Sequence, residues 1–346
     1  MKSLFKTIVF GLLLIACKTA NKTADNYTNL EVSSSDFVVA FGSCSDQKKD
    51  NKLWKEVLKH KPDVWIWGGD NIYSDTDDAR IMQADYNRLL KQPDYKKLIK
   101  TTKIMATWDD HDFGLNDGGE EFHFKKESQR LFLDFLGVSK DDERRKKEGV
   151  YYFENIVSPK GTIKVIVLDT RYFRTALTDA KNSKKRYQPN NYGEGTILGD
   201  KQWQWLENQL RNSQADFNII VSSIQFLSGE HGFETWANFP HEVDKLKQLM
   251  VSSKAKGVLI VSGDRHISEF SKANIKNLEY PLIDFTSSGL THSYKNFKSE
   301  PNKYREGFVV SDLSFGVLKF NFDTKTVAMQ MHGIDNVLQQ HLIQEY

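Results

Sequence analysis

The amino-acid sequence predicts an α/β fold with helices packed outside the strands, and three observations carry that prediction. Seven short runs rich in β-branched and aromatic residues recur along the chain: DFVVAFGSC, PDVWIWGGDNIY, KIMATWDDHD, IKVIVLDTRYF, FNIIVSSIQF, KGVLIVSGDRH and YPLIDFTSSG. Their cores are apolar at both alternating sets of positions, the pattern of strands covered on both faces. Between several of them lie segments of helical period, and strands that alternate with helices build an α/β domain. A chain of 346 residues, 39% hydrophobic and 27% charged, can fill such a core and is excluded from the disordered polymers.

In chain order, the first element precedes the fold. Lys2 and Lys6 flank the start of an apolar run, Ile8 to Ala16, that is too short for a permanent bilayer span and has the shape of a signal peptide. Leu14-Ile15-Ala16-Cys17 resembles a bacterial lipobox. Residues 1–16 are therefore expected to be removed as a lipoprotein signal peptide, with lipid on Cys17. Residues 17–35, rich in Asn, Thr, Ser and Asp, form a tether, and a single domain fills 36–346. A buried N-terminal helix is the plainer alternative, but the polar KTANKTADNYTN that follows could not continue it.

Within the domain, Leu53, Trp54, Val57 and Leu58 share one helical face of 51–60. Phe132, Phe135 and Leu136 do so in 122–136, Trp203, Leu206 and Leu210 in 200–212, and Val243, Leu246, Leu249 and Met250 in 241–252. The stretch 174–196 has no period and reads as a long surface loop. Near the end, GVLKFNFDTKTVAMQMHG alternates on either side of Asp323-Thr324-Lys325, a hairpin signal. No internal repeat interrupts this order.

Charge and cysteine content exclude several classes. Lys plus Arg is 48 against 46 for Asp plus Glu, and loss of Lys2 and Lys6 with the signal peptide leaves a formally neutral chain. No nucleic-acid partner is indicated except as a possible substrate. Two cysteines rule out a disulfide-rich scaffold and a four-cysteine zinc site. With Cys17 lipidated, Cys44 has no disulfide partner, so it is either an inert buried thiol or one with a chemical task.

The residues capable of chemistry fall where the apolar runs end. Cys44, Asp70 with Tyr73, Asp109 to Asp112, and Asp264 with His266 each follow a predicted strand directly. In open α/β sheets that edge is where ligands bind. Each signal has a bland counterpart: a Gly-Asp turn for GGDNIY, a solvated acidic turn for WDDHD, a surface histidine for SGDRH. Carboxylates this dense repel one another unless a cation sits among them. Carboxylate oxygens, an imidazole, a phenol and a thiolate make a mixed donor set suited to a hard trivalent metal beside a divalent one. Asp70 is the best-placed residue to bridge two metals about 3.5–4 Å apart.

GSC, GDNIY, WDDHDFG, LDTRYFR and SGDRH, in this order along residues 42–266, resemble the PhoD-like alkaline phosphatases of the calcineurin-like metallophosphoesterase superfamily. The resemblance implies a two-sheet sandwich flanked by helices (α/β/β/α) and a dinuclear or multinuclear centre of Fe3+ and Ca2+ at the strand ends. Carried over residue by residue, it implies that Cys44 and Tyr73 bind iron and that Asp70 bridges. Asp110, with Asp109 beside it, would bind the second metal, and Asp264 and His266 would complete the shell. His111 would touch the phosphate and protonate the leaving alkoxide. Asn71 in GDNIY and Arg265 in SGDRH depart from the family's usual motifs; with Arg171 they are assigned to substrate, although Arg171 could equally hold the strand edge by ion pairing. His231 is the candidate for a further histidine motif, and the loop 174–196 with Glu120 and Glu121 would shape the entrance.

The function implied is metal-dependent hydrolysis of phosphate esters, as a phosphodiesterase, an alkaline phosphomonoesterase or both. The enzyme would be a monomer anchored by lipid on the extracytoplasmic side of a bacterial membrane. A lipid-anchored binding protein, an inactive relative with a structural metal, and a thiol enzyme with Cys44 as nucleophile are the alternatives.

Overall fold

All seven predicted strands are present in the computed structural model, which describes residues 35–181 and 183–346. The signal peptide and Cys17 lie outside the described residues. In chain order the elements are β1 (Phe37–Gly42), α1 (Trp54–Lys59), β2 (Val64–Gly68), α2 (Ala79–Lys91), α3 (Pro93–Thr101), β3 (Lys103–Thr107), α4 (Asp110–Phe113) and α5 (Lys125–Phe135). They continue with β4 (Tyr152–Val157), β5 (Thr162–Val167), β6 (Thr178–Asp179), β7 (Tyr187–Gln188), α6 (Gly199–Arg211), β8 (Phe217–Val221) and α7 (Pro240–Ser253). The last are β9 (Val258–Ser262), β10 (Ser268–Ala273), β11 (Leu282–Ser287), β12 (Arg305–Val310), β13 (Phe315–Asn321), β14 (Thr326–His332) and β15 (Leu338–Glu345).

The strands make two large sheets. One has the order β15-β14-β13-β1-β2-β3, the other β12-β10-β11-β9-β8-β5-β4, and β6 pairs with β7 in a small ribbon. Alternation along each strand sorts its side chains into layers. Val39, Phe41 and Ile66 of the first sheet meet Val165, Ile219 and Leu259 of the second in a buried layer between them. The other face of the first sheet, with Ala40, Trp65 and Trp67, packs on Trp54 of α1, Tyr86 of α2 and Phe132 of α5. Ile166, Ile220 and Ile260 pack on Leu206 of α6 and Leu246 of α7. This is the predicted helix–sheet–sheet–helix order, and each fully buried large side chain contributes about 1.5–3 kcal/mol. Among the described residues, no helix is long and apolar enough to cross a membrane.

The predicted hairpin forms as β13 and β14, with Lys325 at φ 54° in its turn. Among the described residues of 174–196, the two-residue strands β6 and β7 are the regular structure and the others are loop. Helices α2 and α3 and strands β4, β10, β12 and β15 are additions to the sequence reading.

One pair of histidines couples the fold to pH. The rings of His60 and His332 lie 4.4 Å apart, and His60 Nε2 is 2.7 Å from Asn336 Oδ1. Burial lowers the pKa of both from 6.5, that of His332 to about 4 with His60 adding to the effect. The unfolded chain then binds more protons than the folded one between those values, so stability falls as pH drops from about 6.5 toward 4. Denaturant unfolding at pH 7 and pH 5 is expected to show this loss, and His332→Phe is expected to flatten it.

Candidate metal centre

Strands β1, β2 and β3 run parallel in register, Gly42 beside Trp67 and Gly68 beside Thr107, so their exits open on one edge. In the facing sheet β9 ends there too, which brings Gly263 against Gly68 and Ser43. Cys44, Asp70, Asp264 and His266 have φ of 61°, 50°, 69° and 53°. None is glycine, and such left-handed residues cluster at functional sites because each costs on the order of 1–3 kcal/mol. The turns they make carry the side chains back over the strand ends.

The glycines before the aspartates have a steric reason. At Gly69, φ 100°, a Cβ would lie 2.6 Å from Asp109 Cβ, and at Gly263 it would lie 2.6 Å from Gly68 O. At Gly68 the nearest atom would be an ordinary 3.7 Å away. Gly69→Ala is therefore expected to cost about 2–3 kcal/mol in denaturant unfolding, and Gly68→Ala about 1 kcal/mol or less.

The side chains converge. Cys44 Sγ donates to Asp70 Oδ2 at 3.4 Å and lies 3.0 Å from Ser288 Oγ. Tyr73 OH donates to the same Asp70 oxygen at 3.1 Å and lies 3.0 Å from His266 Nε2. Donor atoms lie within 4.8 Å of one another in each of three groups: Cys44, Asp70 and His266; Asp70, Asp110 and His111; Asp109, Asp110 and Asp264. Asp70 belongs to the first two groups and Asp110 to the last two, so the donors form one continuous cluster. All seven residues expected to bind metal are in it or, for Tyr73, bonded to it.

The electrostatics of the cluster fit bound cations. Burial, then the nearby Cys44 and Asp110, raises the Asp70 pKa well above the usual carboxylate range; burial and Asp109 do the same to Asp264. Burial lifts Asp109 to about 7 against the pull of Arg171, and lifts the Cys44 thiol to about 11. Burial also acts on Asp110, but attraction to Arg171 and His111 outweighs it and lowers its pKa. Four carboxyls and a thiol this close cannot all ionise in a buried site without positive charge among them. Asp109 Oδ2 is buried with no hydrogen-bond partner, and the mixed oxygen, nitrogen and sulfur donors match metals of differing hardness.

His111 lies at the edge of the cluster. Its Nδ1 is 2.8 Å from both carboxylate oxygens of Asp75, and its ring lies 4.1 Å from that of Tyr73. Burial disfavours its charge, but the Asp75 hydrogen bond, Asp70 and Asp110 outweigh it and lift the pKa to about 10.

The acidic motif divides its work. Asp110 faces the cluster, while Asp112 Oδ1 accepts from Asp109 N at 2.6 Å and closes the single turn of α4. Asp112 Oδ2 accepts from the Asn71 amide, whose Nδ2 also donates to Thr107 O at 3.0 Å. The expectation that Asn71 and Arg171 contact substrate is corrected here. Both are fully buried and neither lines the pocket. Asn71 ties the Asp70 loop to the Asp109 loop. Arg171 donates through Nε to Asp109 Oδ1 at 2.5 Å and pairs with Glu234, which also pairs with Arg174 at 2.9 Å. Of the two readings of Arg171, the ion pair is the one formed.

A pocket of about 220 Å³ opens on the cluster, and Asp110, His111, Asp264 and His266 form its floor with Asp70. Arg265 is in its wall, held by Glu300 at 2.9 Å and lying 4.1 Å from the Phe233 ring. His231 is not in the lining; its Nδ1 accepts from Phe233 N at 3.1 Å. The loop 174–196 does reach the pocket, through Arg186, which pairs with Asp117 at 2.7 Å. Glu120 and Glu121 line an adjoining cavity of about 350 Å³ that shares Asp117.

Glu234, Arg186 and His292 are absent from the sequence reading. The His292 ring lies 4.5 Å from His266 and 4.9 Å from Tyr73. It follows the β11 strand exit, the same signal that marked the other candidates, whereas nothing local marks Glu234.

Known proteins resemble this chain in sequence and in fold. Alkaline phosphatase D of Bacillus subtilis (strain 168) is 26% identical over 305 residues, a match covering 72% of this chain and 51% of the relative. The chain thus spans about half the length of the curated relative it matches. A solved structure described as that of PhoD superposes with a TM-score of 0.70 at 16% identity, over 90% of this chain and 68% of the other. A dimetal phosphatase from Danio rerio gives 0.52 at 12% identity, over 90% of this chain and 100% of the other. At these identities the two superpositions show a shared fold. The sequence itself matches the PhoD-like phosphatase model over residues 37–334, and the chain belongs to that family.

Proposed function

We propose that this chain hydrolyses phosphate esters with metal ions held by the strand-end cluster. One observation carries the reading: three overlapping groups of carboxylate, imidazole and thiol donors, each within 4.8 Å, converge where Asp70, Asp110, His111, Asp264 and His266 line a pocket. In this proposal Cys44 and Tyr73 would hold Fe3+, Asp110 with Asp109 would hold Ca2+, Asp70 would serve both sites, and Asp264 and His266 would complete the shell. Metal ions bound there would act as Lewis acids toward the phosphoryl oxygens and lower the pKa of an attacking water.

The chain's own residues do the rest. Arg171 and Glu234 fix Asp109, so that its carboxylate is oriented before any ligand arrives. His111, oriented through Nδ1 by Asp75, whose carboxylate favours the charged ring, offers its other ring nitrogen to the leaving alkoxide as general acid. Arg265 in the pocket wall supplies positive charge to an anionic ester. Burial and a pKa near 11 leave Cys44 a poor free nucleophile, and its sulfur hydrogen-bonds to Asp70, Ser43, Ser288 and the Asp264 carbonyl rather than to a histidine base. The proposal includes both phosphodiesters and phosphomonoesters as substrates.

In this proposal residues 1–16 are a lipoprotein signal peptide, Cys17 carries lipid, and the domain acts as a monomer on the extracytoplasmic side of a bacterial membrane. The support for this part is the lipobox-like LIAC after an apolar run. The proposed activity is tested by dialysis against a chelator, with hydrolysis of p-nitrophenyl phosphate and bis(p-nitrophenyl) phosphate followed in parallel. Both rates, or the one present, are expected to vanish and to return on adding metal. Rates unchanged after complete removal of metal would overturn the reading.

A further inference from the structure

A second cavity lies at the other end of the strands. Of about 750 Å³, it is larger than the pocket over the cluster, and it is lined by Phe217 at the start of β8 and by Gly257 just before β9. Both strands run from there toward the metal centre, a distance of roughly 15–20 Å at their length. Its apolar wall is formed by Met250, Leu278 and Phe217 together with the rings of Tyr280 and Tyr346, which lie 4.8 Å apart. The Tyr346 hydroxyl is buried without a hydrogen-bond partner. Three lysines belong to the lining. Lys325 is paired with Asp216 at 3.0 Å, and the exposed Lys254 and Lys256 outnumber the one exposed acid of the lining, Glu279. An apolar wall below a cationic rim suits an amphiphile with an anionic head.

The chain enters the domain beside this cavity. A carboxylate oxygen of Asp36 accepts from Phe322 N at 3.0 Å. The turn that follows Phe322 carries Lys325, whose carbonyl accepts from Tyr346 N at 2.9 Å. Asp36, near the start of the described chain, therefore lies on the cavity's side of the domain, and a segment as long as residues 17–35 can reach roughly 60 Å when fully extended. We propose that the cavity takes one anionic phospholipid of the bilayer in which Cys17 is anchored. The domain then rests on the membrane by the amino ends of its strands and turns the metal centre away from it. This rests on the lipid-anchor reading above.

The test uses the full chain, extracted from the membranes of a bacterial host and reconstituted into phosphatidylcholine vesicles with or without phosphatidylglycerol. Photoactivatable phosphatidylglycerol is the probe, and crosslinked peptides are mapped by mass spectrometry. Crosslinks are expected on residues 250–257, 277–280 and 346. Lys254→Ala/Lys256→Ala is expected to lower their yield about ten- to thirty-fold, since each basic residue near an anionic surface contributes about 1 kcal/mol. Both lysines are exposed, so the variant is expected to keep its unfolding temperature and its esterase rate. Crosslinks spread over the whole surface, or gathered at the mouth of the metal centre, or unchanged in the variant, would overturn the proposal. The mass of the Cys17 peptide reads the anchor separately: an unmodified Cys17 removes the anchor, and the crosslink map still decides the cavity.

Discussion

Asp70→Asn is expected to lose bound metal and ester hydrolysis together, with the rate falling about a thousandfold or more. The carboxylate of Asp70 belongs to two of the three donor groups and accepts hydrogen bonds from both Cys44 and Tyr73. No neighbouring residue can replace a donor shared in this way. Several kcal/mol of charge stabilisation at the phosphoryl group depend on metals held in place, and each 1.4 kcal/mol is a factor of ten in rate. The same substitution carries an opposite signature in stability. Without metal, Asp70 is a carboxyl raised well above its usual range by burial and by Cys44. Replacing it with a neutral isostere removes that repulsion. The metal-free variant is therefore expected to unfold at the same temperature as the metal-free parent or higher, while metal no longer raises its unfolding temperature. A variant that merely misfolded would unfold lower in both conditions.

His111→Gln is expected to keep metal and to lose about 10²–10⁴ in rate, the usual contribution of a general acid. His111 is set apart from the core of the cluster by its bond to Asp75, which holds the imidazole oriented and charged. Loss of rate should depend on the leaving group. Esters of acidic phenols need little protonation and should suffer least; alkyl esters should suffer most. Asp75→Asn should move the rate in the same direction by less, because it leaves the imidazole in place but without its charge partner. An equal loss for phenyl and alkyl esters would remove His111 as the proton donor and leave it a metal ligand.

Much of the fold was legible because burial on both faces writes a continuous apolar run. VWIWG of β2, FNIIV of β8 and VLIVS of β9 are buried at every position. Strands toward the sheet edges lack that signature. REGFVV of β12 and LQQHLIQE of β15 are exposed or half-buried at all but one position each, and YFENIV of β4 alternates. SEFSKA of β10 is buried yet polar, because Glu269 is satisfied by Gln225, Asn302 and Arg305 from elsewhere in the chain. No window of sequence contains those partners. Helix α2 buries Met82, Tyr86 and Leu89 on one face, but the stripe is narrow and lies among charged and polar residues.

The site divides in the same way. Its donors were legible because each stands directly after a strand, and parallel strands in register bring their exits together. What orients those donors is long-range. Glu234 is far along the chain from Arg171, Ser223 donates to Asp109 Oδ1 at 2.7 Å, and Ser288 sits 3.0 Å from the Cys44 sulfur. The positive φ angles at Cys44, Asp70, Asp264 and His266 were also invisible, since aspartate, cysteine and histidine do not announce a left-handed backbone as glycine does. Asn71 and Arg171 were assigned to substrate, Arg171 with ion pairing as its equal alternative; both are completely buried and brace the loops that carry the donors.

The most direct measurement is the metal content of the purified protein taken together with its visible spectrum. Bound metal in excess of one ion per chain is expected, along with an absorption band that Tyr73→Phe shifts or abolishes. The band reports the phenolate of a residue whose hydroxyl is 3.1 Å from Asp70 and 3.0 Å from His266. A colourless, metal-free protein that hydrolyses phosphate esters at full rate would contradict the account.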